Sequence, residues 1–213
     1  MVHYSFYVIS CFILGLNSAS GQLSTVNGRI KITVVTTSAC SDTFRFINDQ
    51  LVPAYNQYGN FLDLEFVPWG RTTRNPDGSF TCQFGENDCW ANRLHRCALN
   101  MLRGNQTAQM NYMDCEFTLP LPGFTQGTYA CAQASGLRLI EVDNCVAYGS
   151  AELDRAAEEA AKLPMQAINF VPAISFNNQN SIDLNNQARS RLSSMICFAL
   201  ANDPITGVVS CTI

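Results

Sequence analysis

The stretch "GRIKITVVTTSACSDTFRF", residues 28–46, predicts how the fold begins. Its first part, Gly28 to Thr37, alternates and is rich in β-branched side chains, a pattern typical of a β-strand. Apolar residues then recur at helical spacing, which predicts a helix from about Asp42 to Tyr55. Cys40 lies between the two elements, at the position from which the helix starts.

A second strand and a helical region follow. "FLDLEFVPWG", residues 61–70, is a β-type run, so the order strand, helix, strand favours a parallel βαβ unit. The span from Cys82 to about Leu163 is mostly helical in pattern, and residues 87–102 and 151–163 carry its clearest helices.

The last part of the chain returns to β-type sequence. Residues 167–181, "AINFVPAISFNNQNS", predict a pair of strands around Pro172, and residues 186–200 predict an amphipathic helix. The whole order is β-α-β, a helical insertion, then β-β-α, which is the order of a thioredoxin-like fold. We therefore predict an α/β protein with a thioredoxin-like core of residues 21–81 and 164–213 and a mostly helical insertion of residues 82–163.

The N-terminus has the features of a secretory signal peptide. Residues 6–16 form an apolar run that is too short to span a bilayer, and the small residues "NSAS" follow it. We predict cleavage near Ser20, so that residues 1–20, with Cys11, leave a mature chain of residues 21–213. The sequence has no other long apolar run, so we predict no membrane span and a lumenal or extracellular protein.

Charge and composition exclude some partners. Only 14% of the residues are charged, the formal net charge is -4 at pH 7, and the chain has no Lys/Arg cluster. A surface for nucleic acid or anionic lipid needs such a cluster, so we predict neither partner. "NQT" at residues 105–107 is a glycosylation sequon, and in a secreted chain we expect a glycan on Asn105.

The cysteines predict a cross-linked protein with one thiol left over. After Cys11 leaves, nine of the ten cysteines remain, and secreted proteins keep such cysteines as disulfides. Nine is an odd number, and Cys40 stands alone in the first sixty residues of the predicted mature chain. We therefore predict a free Cys40 and four disulfides, whose connectivity stays open. The cysteines expected to form them are Cys82, Cys89, Cys97, Cys115, Cys131, Cys145, Cys197 and Cys211.

Metal and hydrolase chemistry fit the sequence less well. Zinc binding is the alternative for Cys82, Cys89 and Cys97, but these cysteines lack the two-to-four-residue spacing that is usual in structural zinc sites. His95 is the only histidine in the predicted mature chain and no G-x-S-x-G motif is present, which disfavours a serine hydrolase. A Cys40–His95 dyad stays open, while we predict no metal and no cofactor.

The segment "CQFGENDCWANRLHRC", residues 82–97, resembles the signature C-Q-H-G-x-x-E-C-x-x-N-x-x-x-x-C of the gamma-interferon-inducible lysosomal thiol reductase family. Six positions match, while Phe84 replaces histidine and Asp88 replaces glutamate. The segments "FINDQLVPAY", "LDLEFVPWGRT", "CAQASGLRLIEVDNC" and "NFVPAISFNN" also resemble the family, in the same order. The resemblance therefore covers nearly the whole of the predicted mature chain.

The resemblance implies a thioredoxin-like fold, disulfide reduction in an acidic compartment, and a C-x-x-C site after the first strand. Cys40 matches the attacking cysteine of that site, and Thr43 stands where the resolving cysteine is expected. Pro172 matches the cis-proline that faces the site, and a cis Val171–Pro172 bond would leave the Val171 backbone free to hold a substrate. The resemblance also implies that the lysosome, as well as the extracellular space, is an expected location of the protein. An inert buried thiol at Cys40 and a simple strand break at Pro172 are the structural alternatives.

Two functions follow for a site with one thiol. A thiolate at Cys40 is favoured by the helix N-terminus and disfavoured by the charge of Asp42. It can attack a disulfide, but Thr43 cannot resolve the product, so release needs an external thiol such as free cysteine or glutathione. We therefore favour a secreted protein that binds or modulates a protein partner and lacks full dithiol reductase activity. The alternative is a monothiol reductase or isomerase that acts on disulfide-containing protein substrates.

Overall fold

The computed structural model describes residues 21–211, so the predicted signal peptide and Cys11 lie outside the described residues. The strands are β1 (Ile30–Thr36), β2 (Leu62–Pro68), β3 (Thr73–Arg74), β4 (Phe80–Thr81) and β5 (Ala173–Phe176). Three of them form the central sheet in the order β2-β1-β5, and β3 pairs with β4 in a separate hairpin. β1 is parallel to β2 and antiparallel to β5, which confirms the predicted α/β class and the parallel βαβ unit.

Helices make up most of the remaining chain. They are α1 (Ser41–Arg45), α2 (Val52–Tyr58), α3 (Glu86–Met101), α4 (Gln106–Glu116), α5 (Pro122–Gln126), α6 (Ala130–Ala134), α7 (Leu139–Asn144), α8 (Ala151–Ile168) and α9 (Ile182–Ala201). A π-type turn joins α1 to α2, so the helix predicted after Cys40 is confirmed and runs from Ser41 to Tyr58. Within residues 21–211, no helix has both the length and the apolar character needed to cross a membrane.

Both faces of β1 are covered, because this strand alternates its side chains between two layers of helices. Ile32 and Val34 belong to the larger core, which includes side chains of α2, α3 and α9. Val35 packs instead with Val67 and Ala173 against α8. β1 is thus covered on both faces and paired on both edges, and Cys40 follows its end by four residues. This places the thiol close to the central strand of the sheet.

The strand pair predicted for residues 167–181 is wrong in its first half. Helix α8 continues through Pro164 to Ile168, and of the predicted pair only Ala173–Phe176 forms a strand. Ala161, Pro164 and Ile168 are buried on one face of α8. Packing of this face against the sheet outweighs the loss of one helical hydrogen bond at the proline. The predicted end of the helical insertion lies inside α8, so the division into core and insertion stays a prediction.

Four disulfides cross-link the described chain, so the predicted disulfide bonding is confirmed. The first closes the loop before α3, the second joins α3 to the turn after α7, the third joins α4 to α6, and the fourth ties the C-terminal tail to α9. The pairs are Cys82–Cys89, Cys97–Cys145, Cys115–Cys131 and Cys197–Cys211. The three cysteines for which zinc was the alternative are therefore all in disulfides, and these leave no thiolate for a metal.

We expect the disulfide between Cys97 and Cys145 to stabilise the fold more than the one between Cys82 and Cys89, because the first closes a separation of 48 residues and the second one of 7. Loop-closure entropy predicts that alanine at both Cys97 and Cys145 lowers the free energy of unfolding by about 4 kcal/mol, against about 2.5 kcal/mol for the shorter loop. Urea unfolding of the two double variants measures both losses. Equal losses would contradict this ranking.

A buried polar cluster lies inside the helical region. His95 Nε2 is 3.3 Å from Glu116 Oε2, and both side chains are at most 1% exposed. Glu116 also accepts a hydrogen bond from the Gly123 N–H, while the His95 ring packs edge-on against Tyr112 and Phe117. Burial alone would raise the pKa of Glu116, but the nearby His95 imidazole and the hydrogen bond from the Gly123 N–H hold that pKa below its ordinary value.

The Glu116 carboxylate should stabilise the fold only while it is ionised. Because its pKa is lower in the folded chain, the stabilisation is complete above the unfolded pKa of about 4.3 and is lost as the pH falls through the folded pKa. We expect Glu116→Gln to lower the free energy of unfolding by about 3 kcal/mol near neutral pH and by much less in strong acid. Urea unfolding across this pH range, with the exposed Glu152→Gln as control, tests this; a loss independent of pH would contradict it.

Candidate functional site

Cys40 is the free cysteine among residues 21–211, and it lies at the N-terminus of the helix that follows β1. Its carbonyl oxygen accepts the first helical hydrogen bond, from the Phe44 N–H at 2.9 Å. Cys40 is 7% exposed, and its thiol donates to the Val171 carbonyl oxygen at 3.5 Å. The Val171–Pro172 peptide bond is cis. The fold therefore brings Cys40 and the segment that contains Pro172 into one site.

Thr43 lies one helical turn after Cys40, on the same side of the helix. It is fully buried, and its hydroxyl has no hydrogen-bond partner among the described residues. A threonine hydroxyl does not replace a thiolate in disulfide exchange, because an alcohol ionises far less readily than a thiol. This side of the helix therefore carries one free thiol and one buried hydroxyl without a hydrogen bond.

A charged pair flanks the thiol. Asp42 Oδ1 is 3.3 Å from Arg189 Nη2, and the Arg189 guanidinium lies 3.9 Å from the centre of the Phe170 ring. Arg189, on α9, thus links the helix that begins after Cys40 to the segment that precedes Pro172. The two charged side chains are about one-third exposed, at 36% and 31%, so the pair contributes little to stability. The pair places opposite charges side by side at the start of the helix that follows Cys40.

The loop before Cys40 is held by side chains of α3. Asp88 Oδ1 accepts hydrogen bonds from the Ser38 N–H at 3.2 Å and from the Ser38 hydroxyl at 2.6 Å. Asn92 Oδ1 accepts from the same Ser38 N–H at 3.0 Å, and the Asn92 amide donates to Asp88 at 3.0 Å. The other Asp88 oxygen accepts from the Phe84 N–H at 3.3 Å. One buried turn of α3 therefore fixes the backbone two residues before the thiol.

The turn after β2 packs against the same loop. Gly70 has a φ of +51°, and a Cβ atom at this position would lie 1.7 Å from Thr37 Oγ1. A larger residue therefore cannot fit unless the loop moves. The Trp69 N–H donates to the Thr36 carbonyl at 3.1 Å and extends the pairing of β1 with β2. The backbone before Cys40 is thus held from two sides.

The other predicted site residues lie apart from this arrangement. His95 contacts Glu116 and makes no hydrogen bond to Cys40, so a Cys40–His95 dyad is not formed in the described chain. Asn105 is exposed, and its Oδ1 caps α4 by accepting from the Ala108 N–H at 3.0 Å. This hydrogen bond uses the oxygen and leaves Nδ2, the atom that a glycan would occupy, without a role in the cap.

Three residues that shape the site were not identified from the sequence. Asp88 and Asn92 fall within the signature, one helical turn apart. An acidic and an amide side chain at this spacing lie on the same side of a helix, and this spacing could have indicated that they bind the same group. Arg189 had no such signal, because it is 147 residues from Asp42 in the chain. Its place depends on how α9 packs beside the helix after Cys40.

Fold and site together define an α/β protein that is braced by four disulfides and carries one free cysteine between a parallel strand and a helix. A family model described as "Gamma interferon inducible lysosomal thiol reductase (GILT)" matches residues 31–135. This match includes β1 from its second residue, Cys40, Thr43 and all of α3.

Relatives are found in several organisms. The chain is 27% identical over 208 residues to "GILT-like protein 1" of Drosophila melanogaster, and the alignment covers 89% of this chain and 79% of that protein. It is 26% identical over 221 residues to the "Gamma-interferon-inducible lysosomal thiol reductase-like protein" of Anopheles gambiae, covering 94% and 84%. The "Gamma-interferon-inducible lysosomal thiol reductase" of Carassius auratus is 34% identical over 68 residues, covering 30% and 27%. The chain belongs to the gamma-interferon-inducible lysosomal thiol reductase family.

We expect Asp88→Ala to loosen the loop before Cys40, because the buried Ser38 N–H and hydroxyl lose an acceptor. The free energy of unfolding should fall by about 2–3 kcal/mol. The Cys40 thiol should then react about tenfold faster with iodoacetamide under native conditions, since local opening becomes easier. Urea unfolding and mass-resolved alkylation measure the two effects.

The matched control for this variant is Asp77→Ala. Asp77 also accepts two hydrogen bonds from a serine, but both lie in an exposed turn. Its replacement should leave the alkylation of Cys40 unchanged. Equal alkylation rates in the Asp88 variant and the wild type would show that Asp88 does not hold the loop.

Proposed function

We propose that this protein exchanges disulfides through Cys40 alone, as the attacking thiol of a thioredoxin-like core. The observation that carries the proposal is the place of the Cys40 thiol, 3.5 Å from the Val171 carbonyl oxygen and beside cis Pro172, with Thr43 one turn further on. The order β1, helix, β2, then β5 and α9, supports the thioredoxin-like assignment. Membership of a thiol reductase family supports the chemistry.

The proposed reaction has two steps. The Cys40 thiolate attacks one sulfur of a partner disulfide, the partner's S–S bond breaks, and the displaced sulfur leaves as a thiolate that takes up a proton. Cys40 is then joined to the partner by a mixed disulfide. A small external thiol, such as free cysteine or glutathione, attacks the partner's sulfur, restores Cys40, and leaves the partner joined to the small thiol. Each step is an exchange, so no other oxidant or reductant is consumed.

The lack of a second thiol changes the role of the mixed disulfide. In a dithiol enzyme a resolving cysteine breaks this bond within the protein, whereas here the complex persists until a small thiol arrives. We therefore propose a protein that holds disulfide-containing protein partners covalently, as a binding or modulatory protein, with slow reductase or isomerase turnover when small thiols are present.

The proposed location is the extracellular space or the lysosome. Disulfides form and persist in the oxidising secretory pathway, and eight of the cysteines in the described chain are disulfide-bonded. The predicted signal peptide of residues 1–20 and the predicted glycan on Asn105 agree with this route.

Binding without covalent chemistry is a second candidate, and the burial of Cys40 favours it. The residue is only 7% exposed, so a partner disulfide reaches the sulfur only after local opening. In this case the surface around Phe170 and Arg189 would contact the partner, and Cys40 would be an inert thiol. The two candidates differ in whether a bond to Cys40 can be trapped.

Trapping with glutathione disulfide at about pH 5 and at neutral pH separates the candidates. The wild type should gain the mass of one glutathione, on Cys40, whereas Cys40→Ala should gain none. Catalysed reduction of insulin with glutathione as the small thiol should be weak in the wild type. It should rise by at least about tenfold in Thr43→Cys, because a resolving thiol returns to the helix.

Thr43→Val is the matched control, since it removes the unbonded hydroxyl at nearly constant volume and adds no thiol. It should trap glutathione as the wild type does and show no gain in turnover. If Cys40→Ala and the wild type behave alike in both assays, exchange through Cys40 is excluded and the non-covalent candidate stands.

A further inference from the structure

Strand β2 leaves part of one edge unpaired. Successive residues of a strand point their backbone groups to opposite sides. The N–H of Trp69, which follows β2 directly, bonds to the carbonyl of Thr36, the last residue of β1. The Leu64 N–H points the other way and donates to Gln106 Oε1 at 2.6 Å. The backbone groups of Leu64 and Phe66 therefore face away from β1, on the side where β2 has no neighbouring strand.

Side chains already occupy the two ends of this edge. The Gln106 amide donates to the Leu62 carbonyl at 3.0 Å and accepts from the Leu64 N–H, as a neighbouring strand would. At the other end, Arg96 Nη1 donates to the Pro68 carbonyl at 2.5 Å. Between them, the Leu64 carbonyl and the N–H and carbonyl of Phe66 have no hydrogen-bond partner within residues 21–211. These three groups form one repeat of an open β-ladder.

The open edge forms one wall of a groove of about 370 Å³ between α3 and α8. Leu99 of α3 and Leu153, Ala156 and Ala160 of α8 give the groove an apolar lining. The alanines are small, so they leave space beside the strand for an apolar side chain. None of Cys40, Thr43 and Pro172 lines the groove, so this site is separate from the thiol site.

One end of the groove carries a positive charge. Arg103, which also lines the groove, is exposed and forms no ion pair with an acidic side chain of the described chain. It precedes Gln106, so it lies toward the Leu64 end. At the opposite end, Arg96 is buried and paired with Asp154 at 2.7 Å, which closes that end. Glu65 also lines the groove, but its carboxylate is paired with Lys31 at 2.8 Å. Arg103 is therefore the lining residue that offers a site for a carboxylate.

We propose that the groove binds an extended peptide segment of a partner protein, which adds to β2 as a further strand. The peptide backbone pairs with the Leu64 carbonyl and with the N–H and carbonyl of Phe66. An apolar side chain fills the space beside Ala156 and Ala160, and a carboxylate contacts Arg103. The hydrogen-bonding pattern of the edge requires a peptide backbone, which a purely apolar ligand lacks. The Gln106 amide shows that an amide group already fits this edge.

A second copy of this chain fits the groove less well. The β2 edge is recessed between α3 and α8, so the same edge of another copy, recessed in the same way, could not reach it without contact between the flanking helices. A separate extended segment does not meet this obstacle.

The probe for the test is an acetylated hexapeptide of alternating valine and threonine that ends in aspartate. Its binding is measured by fluorescence anisotropy and by the shift of the Phe66 amide signal in NMR spectra. A counterpart with N-methyl groups at alternate residues should bind at least tenfold more weakly, because it cannot form the ladder. A peptide that ends in asparagine with an amidated C-terminus, in place of aspartate, should bind several-fold more weakly, and its binding should depend less on salt.

Variants of the protein locate the site. Ala156→Trp fills the groove from an exposed position and should weaken peptide binding at least tenfold. Ala151→Trp, exposed on the same helix but outside the groove lining, is the matched control and should bind as the wild type does. Arg103→Glu should weaken binding of the peptide that ends in aspartate more than binding of the peptide that ends in amidated asparagine. Cys40→Ala should bind normally, which separates this site from thiol exchange.

Several results would overturn the proposal. They are no binding at about 1 mM peptide, equal binding of the N-methylated peptide, and equal losses in Ala156→Trp and Ala151→Trp. A concentration-dependent dimer in sedimentation experiments that Ala156→Trp abolishes would assign the groove to a second copy instead.

Discussion

The geometry of the site depends on the hydrogen bonds that the buried Asp88 carboxylate accepts. The carboxylate accepts hydrogen bonds from the Ser38 N–H and hydroxyl, the Asn92 amide and the Phe84 N–H. A carboxylate with no cation beside it stays buried only when its oxygens are taken by donors, so each of these groups must keep its place. Because Ser38 precedes the thiol by two residues, α3 controls the geometry of Cys40 without touching its sulfur.

The disulfides have a second consequence, which concerns chemical selectivity. Every other cysteine of the described chain is bonded, so Cys40 is its one thiol available for exchange. Its sulfur is hydrogen-bonded to Val171 and the residue is buried, so a reagent that attacks the sulfur requires local opening of the surrounding segments. A rigid frame and a single protected thiol are compatible with long-lived covalent capture, in which release depends on small thiols outside the protein.

Local sequence patterns predicted the helices and strands whose apolar residues recur with a clear period. They failed where tertiary packing decides where an element ends. The strand before Cys40 and the helix after it were predicted closely. The end of α8 was not, because burial of Ala161, Pro164 and Ile168 against the sheet carries the helix past a proline. The hydrogen bonds of Gln106 to β2 also had no sequence signal, since an isolated glutamine on a helix is usually solvated.

From the sequence alone came the prediction that one cysteine is left over once the predicted signal peptide is removed, that Cys40 begins a helix, and that Thr43 stands one turn later. These are properties of counting and of short-range periodicity. Only the tertiary structure decided which cysteines pair, because a disulfide needs Cα atoms within a narrow range, here 5.4 to 5.9 Å. It also decided that Val171 faces the thiol and that Asp88 holds Ser38. Such contacts join residues 50 to 131 positions apart, and long-range packing alone brings them together.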